Sequence, residues 1–206
     1  MIAIRSNLQA ALLTIVAGMA DAVGYISLGG IFAANMTGNT VLAGIAVAEG
    51  QYGLAARRFM PLIAFFLGAL LARLLLRLLR KPSAPLLLEA ALLAVAGFVT
   101  LGTEAELMVV SLAIGLQASA ITHFGGAAVS TVVVTSTLAR MADATLDRLW
   151  PAAPQRPLPS IAMPRLLALT WLGYLVGAVA GTMLLHLTAW PLLIPALLLL
   201  VVITLL

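Results

Sequence analysis

Asp21 is the residue whose type and place ask most insistently for an explanation. It stands in the middle of an apolar run, flanked by Gly18, Met19, Ala20 and Ala22. A carboxyl group at that depth in a bilayer costs about 3 kcal/mol on insertion scales, so it has to face protein or water. Two readings follow: a proton- or cation-coupling acid, or a structural acceptor for backbone groups and for Asn35, Thr37 or Asn39. The run Asn35-Met36-Thr37-Gly38-Asn39-Thr40 is the second candidate. Asn and Thr are good helix N-caps, and a helix starting here aims unpaired N–H groups and a positive dipole end at the interior. Such an end suits an anion or a carboxylated solute. Thr135, Ser136 and Thr137 offer the corresponding start in the second half, and Gln117, Ser119 and His123 occupy the stretch that answers to Asp21 and Tyr25. The competing reading for each Thr is a hydroxyl bonded back to its own helix. His123 reads either as a proton relay or as a residue at the membrane edge, and the edge is favoured.

Other chemistry is missing from the sequence. Cysteine is absent, which removes disulfides, thiolate metal sites and Cys nucleophiles. No His and carboxylate pair shows metal-ligand spacing, no Gly-rich loop precedes Lys-Ser or Lys-Thr, and there is no nucleophile elbow. Neither an enzyme nor a cofactor or metal site is expected.

These residues sit in a chain of 206 residues that is 63% hydrophobic and only 9% charged. A soluble domain carries about 25% charged residues, so the missing surface has to be lipid. The mean hydropathy of +1.16 agrees. Met1–Gln9 lacks the basic cluster of a secretory leader, and no cleaved signal is expected. The net charge is +4, and ten of the 11 basic residues are Arg. Placed between apolar blocks, they set topology and meet anionic head groups rather than nucleic acid.

A membrane-spanning helix needs about 20 mostly apolar residues. Eight blocks can be marked: Leu8–Leu28, Ile31–Ala48, Phe59–Leu79, Pro85–Leu101, Glu106–Ile121, Ala127–Met141, Arg165–His186 and Ala189–Leu206. The second and sixth are short, rich in Thr, Asn, Ser and Gly, and each follows a Gly-Gly pair, Gly29-Gly30 and Gly125-Gly126. Each pair is either a helix break beside a cavity or a tight turn between ordinary spans. If these two blocks only dip in and return, Arg5, the Arg73–Lys81 cluster, Arg148, Arg156 and Arg165 share a cytoplasmic face. Glu104 and Glu106 then lie outside, with Arg57 and Arg58 as exceptions. That arrangement violates the positive-inside bias less than eight full spans. The expected fold is an all-α membrane protein with six transmembrane helices and two half-inserted or broken helices, in the bacterial inner membrane.

The order of features repeats along the chain. A Gly-Gly pair precedes a Thr-rich block in each half, Phe66-Leu67-Gly68-Ala69 answers to Leu175-Val176-Gly177-Ala178, and Pro85-Leu86-Leu87 answers to Pro191-Leu192-Leu193. Residues 1–206 are therefore read as a single transmembrane domain of two repeats, about 8–102 and 105–206. Three spans per repeat invert the second half, the architecture of secondary transporters that bind solute where broken helices meet. Stripes of small residues, Gly173, Gly177 and Gly181 and their counterpart Ala64, Gly68 and Ala72, permit close helix approach within the chain or between protomers of a homodimer. Glu89 is expected to pair with Arg73 and Arg77. Trp150, Trp171, Trp190 and His186 are expected at the interface. Pro151–Pro164 reads as an exposed cytoplasmic loop, either a linker or a docking segment for a partner.

The stretch AGMADAVGYISLGGIFAANMTGNTVLAG, residues 17–44, resembles the signature of the YoaK family of small bacterial membrane proteins. Its pattern is a Gly, an Asp-Ala pair, an aromatic, Gly-Gly and then Met-Thr-Gly-Asn-Thr. Gly115–Arg140 is similar to the family's second motif, from which Ser119 and Ser136 depart. The resemblance implies a polytopic helical protein and supplies no substrate. The expected function is a small secondary transporter or facilitator of an anionic or carboxylated solute. The alternatives are a non-transporting assembly or regulatory protein and a passive channel.

Overall fold

In the computed structural model the described residues are 2–99, 101–124, 127–149 and 162–206. Gly125-Gly126, Trp150, Arg156 and most of the Pro151–Pro164 segment lie outside them. The elements in chain order are α1 (Ile2–Ser27), α2 (Met36–Ala48), α3 (Tyr52–Leu79), α4 (Ser83–Phe98), α5 (Thr103–Ala120), β1 (His123–Phe124), β2 (Ala127–Ala128), α6 (Thr135–Leu149), α7 (Ala162–Leu187) and α8 (Leu193–Thr204). The two strands form one small antiparallel ribbon, with His123 opposite Ala128.

Among the described residues, three helices are long and apolar enough to cross a membrane, over Ile4–Ser27, Tyr52–Leu79 and Pro164–Leu187. The apolar helices α4 and α8 are shorter, at 16 and 12 residues. At about 1.5 Å per residue they reach less than the ~30 Å of a hydrocarbon core. The outer surface is apolar, unlike that of a soluble globule, and it covers a core that is itself largely apolar. Leu172, Val176, Val179 and Met183 of α7 and Phe66, Leu70 and Leu74 of α3 point outward, whereas Thr14, Asp21, Asn39, Glu89, Ser111 and Gln117 are buried. Lipid replaces water around such a surface.

Two tight helix pairs make the frame: α1 lies along α7, and α3 lies along α5. Glycine permits both. A Cβ on Gly18 would overlap the Tyr174 carbonyl, and one on Gly177 would overlap that of Ile15. In the second pair, Gly68 lies on the Leu112 carbonyl and Gly115 on that of Phe65. The Gly173, Gly177 and Gly181 stripe therefore serves an internal seam with α1. Between these pairs α4 packs on α5 and on α8, and α8 also meets α1. Leu86, Leu93, Leu192 and Leu199 fill that centre.

Two expectations need correction. The block Ala127–Met141 is not a single short apolar helix: it enters the ribbon, runs without regular structure to residue 134 and becomes helical at Thr135. The β-branched run Val132-Val133-Val134 disfavours helix there. The helix α6 is amphipathic and carries Arg140, Asp143 and Asp147, so half-insertion suits only its start. Glu89 does not pair with Arg73 or Arg77. It is wholly buried without a hydrogen-bond partner, and the ion pair found among the described residues joins Arg57 to Glu104 at 3.5 Å.

The seams predict an opposite response from two helical glycines. Gly177→Ala is expected to destabilise the protein by about 1–3 kcal/mol, because the new Cβ has to displace backbone. Gly44→Ala, with open space around it, is expected to be neutral or to stabilise by up to about 1 kcal/mol. Thermal unfolding of the two variants in detergent checks both.

Candidate functional site

The first break begins where α1 stops at Ser27. Leu28 N–H still donates to Gly24 O at 2.9 Å, and Gly30 N–H donates to Tyr25 O at 3.0 Å. The chain then turns through Gly29 and Gly30, at φ +88 and +72 degrees, values that side chains rarely tolerate. It returns along α1, with Ile31 O packed on Gly24. This brings Ala34 N–H to Asp21 Oδ1 at 2.5 Å and Asn35 N–H to the same oxygen at 3.3 Å. The Tyr174 hydroxyl, from α7, donates to Asp21 Oδ2. One buried carboxyl group thus joins α1, the break and α7.

The residues after the break cap α2. Asn35 Oδ1 accepts from Gly38 N–H at 3.1 Å, as an N-cap should. Asn39 clasps the Phe32 peptide: its Nδ2 donates to Phe32 O at 2.7 Å and its Oδ1 accepts from Phe32 N–H at 3.0 Å. Thr40 Oγ1 donates back to Met36 O at 2.8 Å. Thr37 is exposed.

The second break is tethered by a different group. Gln117 is buried on α5, and its Nε2 donates to Leu13 O at 2.9 Å and to Thr131 Oγ1 at 3.2 Å. Thr137 Oγ1 donates to Val133 O at 2.9 Å, and Arg140 Nη1 to Ala128 O at 2.6 Å. Thr135 and Ser136 are exposed at the start of α6.

A cavity of about 670 Å³ lies where the two breaks meet. Asn35, Met36, Thr37 and Gly38 line one side, Val132 to Thr135 the other, and Phe65, Trp171 and Tyr174 close the walls. A second cavity of about 260 Å³ is lined by Asp21, Tyr25, Phe32 and, shared with the first, Asn35 and Tyr174. Tyr25 is exposed and stacks on Phe32 at 4.7 Å between ring centroids. Of the residues expected to line a site, the larger cavity gathers Asn35, Thr37, Gly38 and Thr135. Asp21 and Tyr25 lie behind it, on the smaller one. Asn39, Thr40, Gln117, Ser119, Ser136 and Thr137 are not on the wall of the larger cavity. Asn39, Thr40, Gln117 and Thr137 instead hold the local backbone.

Trp171, expected at the membrane edge, lines the cavity. Tyr174 was not singled out by the sequence at all. The signal for both was the Gly173 and Gly177 pair, which turns that stretch of α7 towards α1. His123 is exposed, with Nδ1 at 3.0 Å from Thr122 Oγ1.

Apolar outward faces, buried polar groups and two interrupted helices around one cavity define a helical membrane protein. The chain belongs to the family described as protein of unknown function (DUF1275), which matches residues 9–205. It is 34% identical over 155 residues to the UPF0700 transmembrane protein YoaK of Bacillus subtilis (strain 168), covering 70% of this chain and 69% of that one. The YoaK-family resemblance of the first motif therefore holds along the chain. No solved structure matches it.

The Asp21 junction carries a prediction. Asp21→Ala leaves the Ala34 N–H and the Tyr174 hydroxyl without their acceptor, and a loss of about 3 kcal/mol is expected. Tyr174→Phe removes a donor and leaves the backbone contacts, so the loss is expected to be smaller, about 1–2 kcal/mol. Thermal or denaturant unfolding of the two variants in parallel checks the order.

Proposed function

We propose that the protein is a small secondary transporter or facilitator that binds an anionic or carboxylated solute between the starts of α2 and α6. The observation that carries this reading is the shared cavity, with Asn35–Gly38 on one wall and Val132–Thr135 on the other. Its volume of about 670 Å³ lies within the ordinary range of small-molecule sites. Both helices direct N-terminal ends towards it, which favours negative charge. Thr37 and Thr135 supply hydroxyls, Trp171 and Tyr174 supply an apolar wall with polar tips, and Asp21 organises the site from behind.

The inverted repeat belongs to the same proposal. Exchanging α1–α4 with α5–α8 maps the α1–α7 pair onto α5–α3, α2–α3 onto α6–α7, and α4–α5 onto α8–α1. The glycine seams follow the same exchange. The ion pair between Arg57 and Glu104 supports one shared end for these groups, as six spans with two half-inserted helices require. In this reading α1, α3, α4, α5, α7 and α8 are the six spans of the bacterial inner membrane, the short α4 and α8 crossing where the bilayer thins around them, and a homodimer is the assembly proposed. The chemistry needs no cofactor.

The test is a thermal-shift screen of the purified protein against small anions and carboxylates, followed by uptake into liposomes. A ligand that binds the folded state raises the melting temperature by mass action. The expected outcome is a carboxylated solute whose shift and saturable uptake are both lost in Thr37→Val and reduced at least tenfold in Asp21→Asn. Unchanged uptake in both variants contradicts the site.

A further inference from the structure

Glu89 takes no part in the cavity, yet it is the most completely enclosed acid in the described chain, with 0% of its surface exposed. Neither Oε1 nor Oε2 has a hydrogen-bond partner. A bare carboxylate in such surroundings is far more costly than a neutral acid, and buried ionisable groups of this kind carry function by default. A second orphan lies on the neighbouring helix. Ser111 on α5 is also fully buried, and its Oγ has no partner. The helices α4 and α5 are consecutive and packed together. Glu89 stands nine residues before the end of α4 at Phe98, and Ser111 stands eight residues after the start of α5 at Thr103. Across an antiparallel hairpin these positions lie at the same depth, about 12–14 Å from the turn.

Among the described residues no charged group pairs with either. The helix α8 carries no ionisable residue, and α4 carries none besides Glu89. On α5 the acids Glu104 and Glu106 sit in the first turn, Glu104 with Arg57 of α3. Arg73 and Arg77 at the far end of α3 are exposed, and Arg58 is tied to Leu42 O at 2.9 Å. One carboxyl and one hydroxyl are too few oxygens for a metal cation, which takes six or more. They suit a proton.

We propose that Glu89, with Ser111 at the same depth on the helix packed against it, is a proton-binding site of the membrane domain, separate from the solute cavity and exchanging its proton with water when the α4–α5 packing opens. The site stands on the burial and register of these two residues and does not require the solute reading to be right.

The test is infrared spectroscopy of the full-length protein in liposomes, compared with Glu89→Gln and with Ser111→Ala, over a pH series and after transfer to deuterium oxide. The proposal expects a protonated-carboxyl carbonyl band that is absent in Glu89→Gln, shifts in position in Ser111→Ala, moves on deuteration and disappears at alkaline pH. Labelling of Glu89 by a hydrophobic carbodiimide, read by peptide mass, is expected to fall as the band falls. If no such band depends on Glu89, the group is ionised and the proposal is wrong. If the band neither titrates nor exchanges, Glu89 is a permanently neutral packing residue, and the proposal is equally wrong. Should Glu89→Gln fail to fold, band and labelling in the unmodified chain and in Ser111→Ala decide the matter alone. Solute uptake enters none of these readouts, so failure here leaves the cavity assignment standing, and the reverse.

Discussion

The Asp21 carboxyl group ties three segments together at one buried point. The chain leaves α1 at Ser27, turns through two left-handed glycines and doubles back, so its backbone N–H groups at Ala34 and Asn35 face inward without helix partners. In hydrocarbon each unsatisfied group costs several kcal/mol. Asp21 accepts from both and takes its third donor from Tyr174, which fixes α7 against the same junction. Gly18, Gly173 and Gly177 then let α1 and α7 close to backbone contact around it. Without that acceptor the Ala34 and Asn35 N–H groups would lose their side-chain partner, and the start of α2 would rest on Asn35 and Asn39 alone.

On the repeat proposed above, the two halves would meet the same problem with different side chains. Aligning the seam glycines, Gly18 with Gly115 and Gly68 with Gly177, sets Asp21 against Ala118 and Tyr174 against Phe65. The second half therefore lacks both members of the junction. Gln117, one residue earlier, takes over the tether through Thr131 and crosses to Leu13 O on α1. This difference puts a charge-bearing group behind one helix start only. Phe65 and Tyr174 nonetheless both line the same cavity.

Much of this was legible in the residues, for reasons that can be stated. An acid within an apolar run, and Asn and Thr after a glycine pair, are costly in lipid, and that cost is what marks Asp21, Asn35, Thr37 and Gly38. Thr135 was found by the same logic. The aromatic wall was not, because Trp171 and Tyr174 are as welcome at a membrane edge as in a site, and only the glycine seam beside them separates the two. The start of α6 was misplaced because Ala127–Val134 is as apolar as a helix, and hydropathy does not see that a valine run prefers extended backbone. Glu89 was paired with arginines by proximity in sequence. The packing of α4 on α5 and α8 turns it inward instead, away from every cation on α3.

The account depends most on the claim that the starts of α2 and α6 face each other across one cavity, and the absence of native cysteine makes that claim simple to measure. Thr37→Cys and Thr135→Cys can be introduced together and treated in membranes with short bifunctional thiol reagents. The account predicts an intramolecular cross-link in the double variant, no cross-link in either single variant, and slower modification when a bound solute fills the cavity. Thiols that both react yet never join across any reagent length that the cavity allows would place the two helix starts apart, and the shared site with them.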